Sequence, residues 1–193
     1  AAWPIDRIDP VLRALFRAAA GEMLETETPP KVVITEFVDI AKAFFPDGKR
    51  LAITFQDGGN QDIWVYEPER DAMTRLTSGG GLFASPVWTR DGGQVVYGML
   101  GSGLRWSRAD GAGQPQVLQA GIIQIPTAFS RDGTRLVYFQ PDGNPQIWSV
   151  PIEAGRDGLK AGKPERFLTT RYTDRDGSFS PDGRWLAYAS NES

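Results

Sequence analysis

The chain has 193 residues, 40% hydrophobic and 23% charged, with 21 basic and 24 acidic side chains and a net charge of −3. That composition fits a soluble globular protein with a sizeable core, and no basic block marks a nucleic-acid partner. Cysteine and histidine are both absent, which excludes disulfides, Cys- or His-ligated zinc, thiol nucleophiles and any Ser-His-Asp triad within the chain.

The first predicted element is a helix. Asp9 and Pro10 form a good N-cap and N1 pair. Val11, Leu12, Leu15, Phe16, Ala19 and Met23 then recur at helical spacing, so a helix is predicted over residues 10–24. It carries Arg13, Arg17 and Glu22 and is too short to span a bilayer, so no membrane span is expected. Residues 26–30 read as a linker. Residues 31–38 read as a strand suited to the outermost position of a blade.

A repeat follows. An aromatic, two residues, Asp-Gly and a β-rich run occur four times: FFPDGKRLAIT, WTRDGGQVVYG, FSRDGTRLVYF and FSPDGRWLAYA. The Asp-Gly pairs begin at Asp47, Asp91, Asp132 and Asp182, a period that marks a repeat architecture. The four acids read as hairpin-turn chemistry rather than a ring of ligands, because glycine supplies φ > 0 and aspartate bonds its own backbone. The third copy predicts strands at 126–129, 134–139 and 147–152, a long polar loop, and a fourth strand at 166–170. Leu136 and Tyr138 fall on one face and Val137 on the other. The first copy predicts strands at 51–55, 63–67 and 73–77, and the second at 95–99, 104–107 and 115–119. Trp64, Trp106 and Trp148 then share one position of the third strand, and Leu76, Leu118 and Leu168 one position of the fourth. The tryptophans read as blade-to-blade core before they read as a sugar platform. The fourth copy has two strands.

Four antiparallel strands per repeat make a propeller blade. The predicted fold is all-β: a β-propeller of four-stranded antiparallel blades, three full and one half, with a short N-terminal helix. The predicted parts are residues 1–30 for helix and linker and 31–193 for the partial propeller. The blades fall at about 40–81, 82–121 and 122–170, with the half blade at 171–193.

These motifs, FSPDGRWLAYASNES above all, resemble the TolB-type, WD-repeat-like propeller repeats of bacteria, which occur in TolB and in the C-terminal regions of bacterial eukaryotic-type Ser/Thr kinases. The resemblance covers roughly residues 41–193. It implies an interaction platform and, more rarely, an enzyme, and it suggests a periplasmic or extracytoplasmic location. No kinase signature accompanies it.

Function is expected on the loops at the end opposite the Asp-Gly turns. The loop-face candidates are Asp57, Asp62, Asp142, Arg171, Asp174, Arg175 and Asp176. Arg171, Asp174, Arg175 and Asp176 form the densest charge cluster, read either as a surface ion-pair network or as a recognition site for an anionic or peptide partner. Asp142, Asp174 and Asp176 are the candidate ligands for a divalent cation such as calcium. The leading expectation is an interaction or ligand-sensing module without its own catalysis. It would complete its ring as a homodimer through open blade edges, with strand 31–38 of one copy filling the half blade of the other, and bind a protein or peptide on the loop face. The alternative is a metal-dependent hydrolase of esters, lactones or phosphotriesters with a carboxylate-held ion at the axis. No catalytic residue is assigned.

Overall fold

The computed structural model describes residues 49–57, 60–141, 143, 145–180 and 182–192. The predicted helix at 10–24, the strand at 31–38, Asp47 and Asp142 lie outside the described residues.

Four antiparallel sheets follow one another along the chain. The first holds β1 (Leu51–Asp57), β2 (Asn60–Glu67) and β3 (Ala72–Arg75), in that order. The second holds β4 (Phe83–Trp88), β5 (Gln94–Met99), β6 (Gly103–Arg108) and β7 (Gln116–Gln119), in order. The third holds β8 (Ile125–Phe129), β9 (Arg135–Gln140), β10 (Gln146–Gly155), β11 (Gly158–Ala161) and β12 (Glu165–Arg166); β10 pairs with β9, β11 and β12. The fourth is β13 (Asp174–Phe179) with β14 (Leu186–Ser190). The described residues thus form successive antiparallel propeller blades of three, four, five and two strands, the second matching the predicted four.

The Asp-Gly turns form as their chemistry requires. Gly92, Gly133 and Gly183 take φ of 65°, 75° and 71°, the left-handed region that glycine enters without cost. In the third copy Gly133 N–H donates to Ser130 O at 2.8 Å and Ser130 N–H donates to Arg135 O at 2.8 Å, which closes the hairpin.

The blades stack through two apolar layers. Ala52, Ile63, Val65 and Leu76 of the first sheet meet Phe83, Trp88, Val95 and Tyr97 of the second. Val96, Leu104, Trp106 and Leu118 of the second meet Leu136, Tyr138, Val150, Ile152 and Leu159 of the third. Strand β5 thus buries both faces, Val95 and Tyr97 one way and Val96 the other, which is why it reads as an unbroken apolar run. Leu136 and Tyr138 share a face as predicted.

Two predicted alignments are corrected. Trp64 stands opposite Ile53 and Trp148 opposite Tyr138, but Trp106 stands opposite Val96, one residue away from Tyr97. Tyr97 faces Arg105 instead, so Arg105 occupies the position of Trp64 and Trp148. Because side chains alternate along a strand, the shift turns Trp106 to the opposite face of its blade, into the layer shared with the third sheet. Likewise Leu76 N–H donates to Ile63 O and Phe167 N–H to Ile147 O, which aligns Leu76 with Phe167 rather than with Leu168.

The strand ends differ as well. Strands β1 and β2 run on to Asp57 and back from Asn60, so most of the segment between the predicted strands 51–55 and 63–67 is ladder. The long polar loop after Ile152 is a hairpin: β10 continues to Gly155 and turns into β11 with Gly155 opposite Gly158. Gly158, at φ 109°, lies so close to Trp106 that a Cβ there would fall 2.2 Å from the indole ring. The predicted fourth strand at 166–170 is confined to Glu165–Arg166.

Candidate functional site

At the end opposite the Asp-Gly turns, the hairpin tips of the second and third sheets are stitched to the segments that join neighbouring blades. Leu100 N–H donates to Leu82 O at 3.0 Å, and Gly101 N–H to Ile122 O at 2.7 Å. Leu104 N–H donates to the buried Gln124 Oε1 at 3.2 Å. One blade further, Asp174 N–H donates to Pro145 O at 2.9 Å and Gln146 Nε2 donates to Tyr172 O at 2.9 Å. These bonds fix the loop face as a surface of set shape.

They also gather three apolar side chains that have no core to enter. Leu82, Leu100 and Ile122 are 46%, 49% and 70% exposed. Single exposed apolar residues are ordinary, but three on loops bonded to one another form a patch. The sequence signal was there, apolar residues inside the glycine-rich stretches SGGGLF, MLGSG and AGIIQ.

The charged candidates divide by burial. Asp62 lies within β2 and is buried; its Oδ1 accepts from Thr77 Oγ1 at 2.8 Å and its Oδ2 from Arg75 at 2.5 Å. Asp174 opens β13 fully buried; Oδ2 accepts from Thr170 Oγ1 and Oδ1 has no partner in the structure. Asp176 is on the same strand, at φ 58°, and pairs with the exposed Arg175 at 3.6 Å. Arg171 lies over the Tyr172 ring at 5.2 Å and donates to its hydroxyl at 3.1 Å. Asp57 ends β1 opposite Asn60. Asp174 is therefore a ladder residue opposite Ser190 rather than the loop residue expected, Asp176 sits in the β13 bulge between Arg175 and Ser178, and the RYTDRDG charges do not close into one network. Among the described residues no group of three or more carboxylates gathers that could hold a metal ion.

The acids of the Asp-Gly turns are committed to their turns. Asp132 Oδ1 accepts from Ser130 Oγ at 2.6 Å and from Thr134 N–H at 3.0 Å, and these bonds hold its carboxyl at about 2. The Gly93 N–H, followed by the Thr89 hydroxyl, lowers Asp91; the Ser180 hydroxyl, followed by the Arg184 N–H, lowers Asp182. A carboxylate depressed in the fold stabilises it above its unfolded value of about 4 and loses that contribution as pH falls through the folded value. Stability is therefore expected to decline between about pH 4 and pH 2. Asp132→Asn is expected to flatten that decline, read from urea unfolding at each pH; a slope equal to wild type would remove the turn acid from the account.

The comparisons agree with this geometry. The family model described as the TolB β-propeller domain matches residues 22–193. Among solved structures, a TolB from Agrobacterium tumefaciens aligns with a TM-score of 0.62 at 22% identity, over 77% of this chain and 53% of that one. TolB from Acinetobacter baumannii aligns with a TM-score of 0.58 at 20% identity, over 75% of this chain and 36% of that one. Likeness at such identity shows the fold alone, and the chain spans about half or less of either structure's length. A further match lies outside that family. A stretch of 44 residues, 22% of the chain, is 57% identical to transcription antitermination protein NusB of Rhodospirillum rubrum and covers 24% of it. The chain thus spans about a quarter of the length of the curated relatives it matches.

Proposed function

The chain belongs to the TolB β-propeller domain family, and from that premise we propose that it serves as an interaction or ligand-sensing module that completes its stack of blades by self-association. The observation that supports this reading is the exposure of the two-stranded last sheet among the described residues. Three tyrosines occupy one position of successive blades, six residues beyond Asp91, Asp132 and Asp182. Tyr97 and Tyr138 are 0% and 1% exposed, whereas Tyr188 is 41% exposed. In the second and third sheets the tyrosine packs against the sheet before it; Tyr97 also bonds Ser107 Oγ of its own third strand at 2.7 Å, and Tyr138 accepts from Gln119 of the preceding blade at 2.9 Å. Trp185 of the same sheet is 69% exposed. Exposed apolar surface of this kind favours association.

The Leu82, Leu100 and Ile122 patch is the second surface, suited to an apolar side chain of a protein or peptide ligand. No observation favours the metal-dependent hydrolase: Asp62 and Asp176 are paired with arginines and Asp174 with a threonine. No helix among the described residues is long and apolar enough to cross a membrane.

Solution mass by light scattering tests the reading. A mass twice that of the 21.2 kDa chain is expected. A monomer at every concentration would overturn self-association and leave only the loop face as a binding surface.

A further inference from the structure

Apart from any self-association, we propose that a hard cation is bound between the third and fourth blades, held by Asp174 Oδ1 and Gln146 Oε1.

Both oxygens are buried acceptors without a donor. Asp174 is 0% and Gln146 6% exposed, and neither Asp174 Oδ1 nor Gln146 Oε1 has a hydrogen-bond partner. They belong to one bonded cluster. Asp174 N–H donates to Pro145 O at 2.9 Å. Thr170 Oγ1 accepts from Tyr172 N–H at 3.2 Å and donates to Asp174 Oδ2. Gln146 Nε2 donates to Tyr172 O at 2.9 Å and to Pro145 O at 3.1 Å. The amide nitrogen is thus spent on two carbonyls, and Gln146 cannot turn it toward Asp174.

A buried carboxylate without a counter-charge is costly, and a buried acceptor left without a donor adds to that cost. Asp62 shows how the chain meets the same problem in the first blade. It precedes Ile63-Trp64 as Gln146 precedes Ile147-Trp148, and Arg75, opposite Trp64, reaches it at 2.5 Å. Arg166 stands opposite Trp148 in the same way, but the residue before Ile147 is the neutral Gln146 and the acid comes from the next blade. Among the described residues Asp174 forms no ion pair: Arg166 lies over Trp148, Arg171 over Tyr172, and Arg175 pairs with Asp176.

Those two oxygens select the occupant. Full burial of Asp174 keeps out a guanidinium or a substituted ammonium arriving from solvent. A water would bond both oxygens yet leave the charge uncompensated. A small cation that takes carboxylate and amide oxygens, such as Ca²⁺ or Na⁺, satisfies both and neutralises the acid. With a single carboxylate the site is a weak one, in the class of about 10⁻⁴–10⁻³ M for Ca²⁺. The same burial keeps the ion from any substrate, so it ties the head of β13 to β10 and takes no part in catalysis.

Urea unfolding of the full chain at one protein concentration is the experiment, with CaCl₂ or NaCl set against choline chloride at equal ionic strength. Choline is too large for a buried site. In the wild type about 10 mM Ca²⁺ is expected to raise the folding equilibrium constant about ten- to hundredfold over choline, saturably. A saturable response to Na⁺ alone would support the site and assign it to a monovalent ion. Asp174→Asn keeps an acceptor for Thr170 and offers Gln146 Oε1 a donor. Without Ca²⁺ and Na⁺ its folding constant is expected to be about tenfold above wild type, and neither ion is expected to raise it further. Asp62→Asn, whose acid is already partnered by Thr77 and Arg75, is expected to keep the full ion response. A wild type that responds to neither ion beyond choline, or an equal response in Asp174→Asn, would overturn the cation and leave a buried water as the occupant.

Discussion

Trp106→Ala is expected to cost about 3–5 kcal/mol of unfolding free energy, read from urea denaturation, the range for emptying a large aromatic from a packed core. Trp106 is 8% exposed and stands in the layer between the second and third blades, among Leu104, Leu118, Leu136, Val150 and Leu159. The face of Gly158 closes over its ring, and that glycine's left-handed backbone cannot collapse inward without moving the β10–β11 turn. The cavity would therefore stay open, which places the loss toward the upper end of the range. Trp64→Ala and Trp148→Ala are expected to cost less. Both tryptophans are partly buried, with Arg75 over Trp64 at 5.8 Å and Arg166 over Trp148 at 5.3 Å. Such guanidinium–aromatic stacks contribute about 0.5–1 kcal/mol at exposed sites. Equal losses at all three positions would contradict the shifted register of β6.

That register shows where the sequence was legible and where it was not. The Asp-Gly hairpins and the strands flanking them could be read because their information is local: a glycine in the left-handed region, an aspartate bonding two residues on, an alternation of side chains. The pairing of the second strand with the third depends on the hairpin tip between them, and the tips differ. Asp57 pairs with Asn60, Met99 with Gly103 and Gln140 with Gln146. A tryptophan in each third strand suggested one repeating position, but a change of tip length moved Trp106 to the other face. The β10–β11 hairpin was hidden for another reason. It extends past the blade into solvent on one side, so its residues are polar and glycine-rich and read as loop.

The site was legible in charge and illegible in burial. Arg171, Arg175 and Asp176 are surface groups as their cluster suggested. Asp62 and Asp174 looked the same in sequence, yet Asp62 lies inside the β2 ladder opposite Phe55 and Asp174 opens β13. Each is buried and accepts from a threonine hydroxyl, Thr77 or Thr170, because a buried carboxylate needs donors. The apolar loop residues were the reverse case. Leu82, Leu100 and Ile122 carry no motif, and only the backbone bonds between their loops make them neighbours.

Asp62→Ala is accordingly expected to lower stability by about 1.5–3 kcal/mol, the worth of hydrogen bonds to a charged group. Arg75 accounts for the smaller share: it is 45% exposed, so water can take over when its partner goes. The larger share comes from Thr77. Its hydroxyl accepts from Ile63 N–H at 2.9 Å and donates to Asp62 at 2.8 Å, so the carboxylate orients the group that satisfies a buried backbone amide. Removing the acceptor leaves that hydroxyl proton without a partner next to Ile63, which is fully buried in the layer against the second blade. Asp62→Asn keeps an acceptor for Thr77 and loses only the charge, so it is expected to retain most of the stability. The two variants together separate scaffold from site: a ligand-binding acid would lose function in both at unchanged stability, whereas Asp62 is expected to lose stability in one and self-association in neither, read from urea unfolding and solution mass on the same preparations.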